Sequence, residues 1–334
     1  MSAYHVYRFA EFLVRWLPEP IARRLSFAVG RLSSALQRRN RAILLKNLTI
    51  VFGQEKSPAE LRELRRRIYG NFGRFVYEFV HLPRITQENV HDILTPESLE
   101  TARRLGEMAQ EQPVVAITAH IGHWELGAAA VGLAGYPIAV IVDFHPNPKV
   151  TQYFDGVRRS RGVNPIPLSS FHRLFRALKR GALVAIVADR AVTGQGIAMK
   201  YFGQDFLAPD GYAALARRFG AKIVPTFCIR REHGLYEFTI GEPIEIEPTD
   251  DAEADIRDCV ARVLSVLETK VRDHPDQWYA FRPIWGVGRT DRMNARRSRE
   301  LHWRRRSNEV ARQAVEESHE LRRTARENRG RNRR

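Results

Sequence analysis

At 334 residues with 44% hydrophobic content, the chain can form one large domain or two small ones with a real core, which excludes a disordered polypeptide. Its net charge of +16 is unevenly placed: residues 1 to 50 carry nine basic and two acidic groups, residues 51 to 288 carry 29 of each, and residues 289 to 334 carry sixteen arginines against seven acids. A neutral body with basic ends argues against a nucleic-acid enzyme, which spreads basic groups through its binding domain, and suits a protein lying on an anionic membrane surface.

The first 110 residues read as helical throughout. Val6, Phe9, Ala10, Leu13, Trp16 and Leu17 follow helical spacing opposite Arg8, Glu11 and Arg15, and Pro18 and Pro20 end the pattern. Ile21, Leu25, Val29, Leu32 and Leu36 form a second stripe flanked by Arg23, Arg24, Arg31, Arg38 and Arg39. Such helices lie in a membrane interface or pack on their own domain, and one helix can do some of each. No run of 18 apolar residues exists, so no membrane span is expected. Ser57-Pro58-Ala59-Glu60 has the form of a helix N-cap with proline in the first turn.

From residue 113 the pattern changes to short apolar runs, 113–118, 138–142, 183–188, 223–229 and 237–240, separated by helical stretches at 124–134, 149–161, 171–180 and 210–219. A last helix follows at 252–273. This alternation predicts an α/β fold, a mostly parallel sheet flanked by helices. The expected organisation is a helical membrane-interface region over 1–110, an α/β core over 111–288, and an Arg-rich tail over 289–334, helical or disordered. Cys228 and Cys259, each within an apolar or helical pattern, suggest a reducing compartment and have neither disulfide nor metal spacing.

Chemistry concentrates at Ala119-His120-Ile121-Gly122-His123-Trp124-Glu125, where the first strand gives way to a helix. A histidine able to take a proton from a hydroxyl, beside an acid able to hold its ring, is the minimum equipment for acyl transfer to an alcohol. The same residues, His120, His123 and Glu125, also have the spacing of metal donors, with Asp189 or Asp143 as a further ligand, which is a competing hydrolase reading. A third reading is a non-enzymatic binding protein working through its basic tail. Downstream, Val157-Arg158-Arg159-Ser160-Arg161-Gly162 offers guanidinium groups for a phosphate. Ala188-Asp189-Arg190 ends another strand. Thr193-Gly194-Gln195-Gly196, Tyr201-Phe202-Gly203 and Ala208-Pro209-Asp210-Gly211 allow close backbone approach to a ligand, and Pro275 to Trp285 closes the domain with aromatic residues, of which Trp278 and Trp285 read as core.

In this order the pieces resemble the lipid A biosynthesis, or late, acyltransferases of the lysophospholipid acyltransferase superfamily, over about residues 20 to 288. The hallmark, His, four residues, then Asp or Glu, stands here as His120 to Glu125. The likeness extends through Asn47-Leu48-Thr49-Ile50-Val51-Phe52, Asn71-Phe72-Gly73-Arg74, the Arg and Gly near 159 to 162, Asp189, Phe202-Gly203, Ala221 to Pro225 and Gln277-Trp278. Two departures are His123 in place of the usual Asn and the lack of the family's N-terminal membrane anchor; the tail has no counterpart.

The resemblance implies an O-acyltransferase that moves a fatty acyl group from a carrier thioester to a hydroxyl of a membrane glycolipid. A lipid A precursor is the first expectation, and a phosphatidylinositol mannoside or other glycophospholipid the second. His120 is the expected general base and Glu125 the residue that orients its ring. Arg158, Arg159, Asp189 and Arg190 are the expected substrate contacts, with Arg159 and Arg190 on a phosphate or oxyanion. No cofactor and no metal are expected, acyl-carrier protein or acyl-CoA being a co-substrate, and a basic surface suits the acidic carrier protein. The expected partners are that carrier protein, the lipid acceptor and an anionic membrane surface, with no nucleic acid. The expected location is peripheral, on the cytoplasmic face of the inner membrane.

Overall fold

The computed structural model of the chain describes residues 11, 16–143, 145–168, 170–191 and 196–285, and these fall in one compact unit. The expected first apolar stripe, apart from Trp16 and Leu17, the Thr193-Gly194-Gln195 turn and the Arg-rich tail lie outside the described residues.

Among the described residues four long helices lead into the α/β part: α1 (Glu19–Leu36), α2 (Arg38–Phe52), α3 (Pro58–His81) and α4 (Pro96–Glu111). At the start of α3 the expected N-cap is a full capping box: the Glu60 amide donates to the Ser57 hydroxyl and the Ser57 amide to the Glu60 carboxylate. The α/β part follows as β1 (Val114–Thr118), α5 (Trp124–Leu133), β2 (Ile138–Val142), α6 (Pro148–Arg159), β3 (Val163–Pro167), α7 (Phe171–Lys179) and β4 (Leu183–Val187). After a hairpin of β5 (Ile197–Tyr201) and β6 (Gln204–Ala208) come α8 (Gly211–Phe219), β7 (Lys222–Arg230), β8 (Tyr236–Ile240) and α9 (Ala252–Asp273).

The main sheet has the order β3-β2-β4-β1-β7-β8, parallel except for β8, which pairs antiparallel with β7. The chain is therefore α/β with a mostly parallel sheet flanked by helices. All five residues of the central β1 are buried, and they alternate between two cores. Val115 and Ile117 face a core built with α2, α3, α7, α8 and α9, whereas Val114 and Ala116 face one built mainly with α4, α5 and α6. A parallel strand covered on both faces is why this segment reads as an unbroken apolar run.

Two strand regions escape the sequence pattern. β3 is Val163-Asn164-Pro165-Ile166-Pro167, and its two prolines are tolerated because it is the sheet's edge strand, where missing N–H donors face no neighbour. The β5–β6 hairpin turns at Phe202-Gly203, both with positive φ (49° and 73°), a backbone that Asn-Gly usually supplies. Phe202 is held there because its amide donates to the Glu268 carboxylate and its buried ring packs on Trp278 and Trp285. These glycine-turn residues thus serve a packed hairpin.

α1 is unusual in what it buries. Its inward face is Ala22, Gly30 and Ser34, and Gly30 meets Gly73 of α3 so closely that a Cβ at Gly30 would lie 2.3 Å from the Tyr69 carbonyl oxygen. Its large apolar residues Ile21, Leu25, Val29, Leu32 and Leu36 are exposed, Leu32 at 72% and Leu36 at 85%. Among the described residues the large apolar stripe is exposed while the small face of the same helix packs on α3.

Candidate active site

The site forms where β1 and β4 end side by side. Their parallel register pairs Thr118 with Val187, and continuing it two residues brings His120 opposite Asp189. His120 Nδ1 lies 2.6 Å from Asp189 Oδ1, and the His120 backbone N–H donates to Oδ2 at 3.1 Å. Trp278 Nε1–H also donates to Oδ2, at 3.1 Å. Asp189 is 2% exposed, so these three donors replace its hydration. Burial works against its ionisation, but His120, through its charge and hydrogen bonds, and Arg190 outweigh it and hold the carboxyl down at about 2. Burial, resisted by Asp189 and aided by Arg190, moves the His120 imidazole below its ordinary range. The arrangement is a neutral imidazole whose Nδ1–H points at a carboxylate, leaving Nε2 as the basic nitrogen with no hydrogen-bond partner among the described residues. The His120 side chain keeps 18% of its surface, in edge contact with Trp124 at 5.2 Å.

The expected hold of Glu125 on the His120 ring is corrected by this geometry, since Asp189 occupies that position. Glu125 instead accepts a two-armed contact from Arg158, whose Nε reaches Oε2 at 2.9 Å and whose Nη2 reaches Oε1 at 2.6 Å. Helix α5 starts one residue earlier, so Glu125 also sits in its first turn, where a negative charge complements the helix dipole. Its charge still acts on His120, favouring the imidazolium. Arg158, expected on substrate, is therefore committed to Glu125 and Asp155. Despite desolvation, these two acids raise its affinity for its proton. Arg159, one residue on, is exposed at the end of α6, while Arg190 acts electrostatically on both members of the dyad.

His123 turns away from the dyad. It is fully buried, 4.7 Å from Phe75 and 5.4 Å from Tyr236 by ring centroids, and its Nδ1 accepts the Leu126 N–H as the N-cap of α5. Burial presses its pKa down to about 3, so the ring stays neutral. His120, His123 and Glu125 thus aim at Asp189, the α5 N-terminus and Arg158 respectively. They do not converge, and no group of three metal-binding side chains occurs among the described residues. The two cysteines lie buried in opposite cores, and burial pushes the Cys228 thiol well up and that of Cys259 to about 12. Neither supplies a thiolate nucleophile.

What spacing alone could not reveal is the segment carrying Trp278. Gly122 N–H donates to the Gln277 carbonyl at 3.0 Å and Tyr279 N–H to the His120 carbonyl at 2.8 Å, so residues 277–279 run antiparallel to the His120 loop. Asn71 Nδ2 bonds the Asp276 carbonyl at 2.8 Å, and Asn47 Nδ2 reaches the Ala280 and Arg282 carbonyls at 2.9 and 2.8 Å. The N-terminal helices thereby hold the segment that closes the site.

The model of the bacterial lipid A biosynthesis acyltransferases matches residues 2–286. Among characterised proteins, a phosphatidylinositol mannoside acyltransferase of Mycolicibacterium smegmatis is 24% identical over 294 residues, 85% of this chain and 91% of the relative. That of Mycobacterium tuberculosis is 24% identical over 261 residues, 70% of this chain and 79% of the relative. With the match running through the whole α/β body and its helical N-terminal part, the chain belongs to the bacterial lipid A biosynthesis acyltransferase family and is an acyltransferase.

Proposed function

We propose that the protein transfers a fatty acyl group from a thioester, carried by acyl carrier protein or coenzyme A, to a hydroxyl of a membrane glycolipid. The observation that carries the reading is the His120–Asp189 pair at the mouth of the sheet, with Nε2 unengaged and Nδ1–H fixed on a buried carboxylate. Nε2 takes the acceptor's hydroxyl proton as the oxygen attacks the thioester carbonyl. The new ester bond forms as the carbon–sulfur bond breaks, and the departing thiolate recovers the proton from the imidazolium. Asp189 holds the tautomer and stabilises the transient positive charge. Arg190 serves the developing oxyanion, and Arg159 contacts a phosphate at the rim. The Glu125–Arg158 pair braces the wall of the site and tempers the charge around His120.

The acceptor is a lipid held in a membrane, and the exposed stripe of α1 is the surface on which the protein reaches it. Ile21, Leu25, Val29, Leu32 and Leu36 form one exposed apolar face on a helix that also carries Arg24 and Arg31, with Arg38 and Arg39 opening the next helix, a composition that suits an anionic interface. No helix among the described residues is long and apolar enough to cross a membrane. The attachment is peripheral, on the cytoplasmic side where acyl thioesters are made. The mycobacterial relatives favour a phosphatidylinositol mannoside as acceptor, and the family model a lipid A precursor.

The purified protein, incubated with acyl-CoA or acyl carrier protein thioester and vesicles holding either acceptor, should yield one acyl ester more by mass spectrometry. His120→Ala should lower the rate by about 100-fold or more. Near-normal transfer by a folded His120→Ala protein would remove the dyad from the mechanism.

A further inference from the structure

We propose that Trp278 is a positioning residue for the dyad, its indole N–H fixing the Asp189 carboxylate so that Oδ1 stays aimed at His120 Nδ1. The inference rests on the acyltransferase reading of that dyad. Oδ2 of Asp189 has two donors, the His120 amide and Trp278 Nε1, both at 3.1 Å, and only the second comes from outside the His120 loop. The amide belongs to the same residue as the imidazole, whereas the indole comes from a separate segment, near residue 278. It therefore sets the rotation of the carboxylate relative to the imidazole.

The indole has the support such a role requires. Trp278 is 0% exposed, and the residues on both sides of it in the chain are hydrogen-bonded to other parts of the fold. Gln277 grips both the N–H and the carbonyl of Arg230, at 3.0 and 2.9 Å, at the end of β7. Gln277 and Tyr279 bond the His120 loop, Asn71 holds Asp276, and Asn47 holds Ala280 and Arg282. The ring of Phe202, on its strained hairpin, lies 6.1 Å from the indole. A segment of 3-10 and irregular backbone is thus fixed by three amide side chains, which is the rigidity a hydrogen bond needs to orient a catalytic group.

The same aromatic cluster contains an internal control. Trp285 is also buried, lies 6.5 Å from Trp278, and donates its own indole N–H at 3.1 Å to the Tyr201 carbonyl rather than to the dyad. If the indoles serve packing alone, Trp278→Phe and Trp285→Phe should behave alike. If Trp278 positions Asp189, only the first should alter His120. With one donor lost, Asp189 disperses less of its charge and holds the His120 proton more tightly, so the base becomes neutral only at higher pH.

The test measures kcat, KM and the pH profile of kcat/KM for the wild type, Trp278→Phe, Trp285→Phe and His120→Ala, with imidazole nitrogen NMR of His120 on the folded proteins that retain it. A further variant carries benzothienylalanine at 278, which keeps the ring's size and lacks only the N–H, so packing is preserved if phenylalanine proves too small. Both 278 variants should lose about tenfold or more in kcat with KM little changed, as expected for removing one hydrogen bond to a charged group. The acid limb and the NMR titration of His120 should move to higher pH, and Trp285→Phe should move neither. An unmoved His120 titration in the benzothienyl variant, or an equal shift in Trp285→Phe, overturns the proposal. Full transfer by His120→Ala would instead remove the dyad from the mechanism, and none by the wild type would fail the acyltransferase reading; in either case the NMR titration would still decide the role of Trp278.

Discussion

His120 and Asp189 stand 69 positions apart in the chain and 2.6 Å apart in space, because the parallel register of β1 and β4 has that same offset. The pair is a product of strand alignment: a one-residue slip between β1 and β4 would exchange Asp189 for Ala188 or Arg190 opposite the imidazole. Four consequences can be measured.

Asp189→Asn keeps the shape of the side chain but removes the charge that fixes the Nδ1–H tautomer. Its rate of acyl transfer should fall by roughly 100- to 10,000-fold. Glu125→Gln should cost much less activity, since Glu125 acts on His120 only at a distance. Steady-state kinetics of the two purified variants compare them, and an Asn variant as active as the wild type would exclude the dyad.

Glu125 and Arg158 make a stability prediction. Removing one partner of a nearly buried two-armed pair leaves the other charge uncompensated, a loss on the order of 3 kcal/mol. Replacing both by apolar residues should cost clearly less than the sum of the single changes. Urea denaturation of Glu125→Leu, Arg158→Leu and the double variant reads this directly, and strict additivity would show that the two side chains do not act as a pair.

His123 predicts acid sensitivity. Its ordinary pKa of 6.5 applies to the unfolded chain, while the folded ring titrates at about 3. Between those values the unfolded state takes up a proton that the folded state refuses. Stability contributed by the neutral ring is thus present above 6.5 and is lost as pH falls, by up to ~1.4 kcal/mol per pH unit. His123→Asn retains a capping acceptor and removes the titration, so its stability should fall less steeply from pH 6.5 to 4 in thermal melts. His123→Ala also loses the cap, costing about 1 kcal/mol more.

The α1 stripe predicts membrane affinity separable from folding. Leu32→Gln with Leu36→Gln alters only exposed side chains, so the melting temperature should hold within error. Burying each leucine in an interface contributes about 1.5 kcal/mol or more, so binding to anionic vesicles should weaken by roughly 100-fold. Sedimentation with phosphatidylglycerol vesicles measures it; unchanged binding would assign the stripe to another partner.

The amino-acid order by itself determined the layout of this protein. Periodicity places β1, β2, β4, β7 and β8 and the helices between them, since buried parallel strands are apolar runs of about five residues and helices repeat at 3.6. It misses β3, whose prolines are acceptable only at a sheet edge, and the β5–β6 hairpin, whose turn carries Phe202 where turn chemistry favours a smaller residue. The histidine is legible too, because a strand end is where such chemistry sits. Its partner is not. Glu125 is near in sequence and Asp189 far, and local spacing favours the near acid; the sheet register and the Arg158 guanidinium decided otherwise. The same holds for His123, whose ring lies between Phe75 and Tyr236, and for Asn47, Asn71 and Gln277, polar residues whose use is to bind carbonyls that chain folding brings to them. Local pattern is set by nearest neighbours along the chain, whereas pairing of charges and donors depends on which strand ends the sheet places side by side.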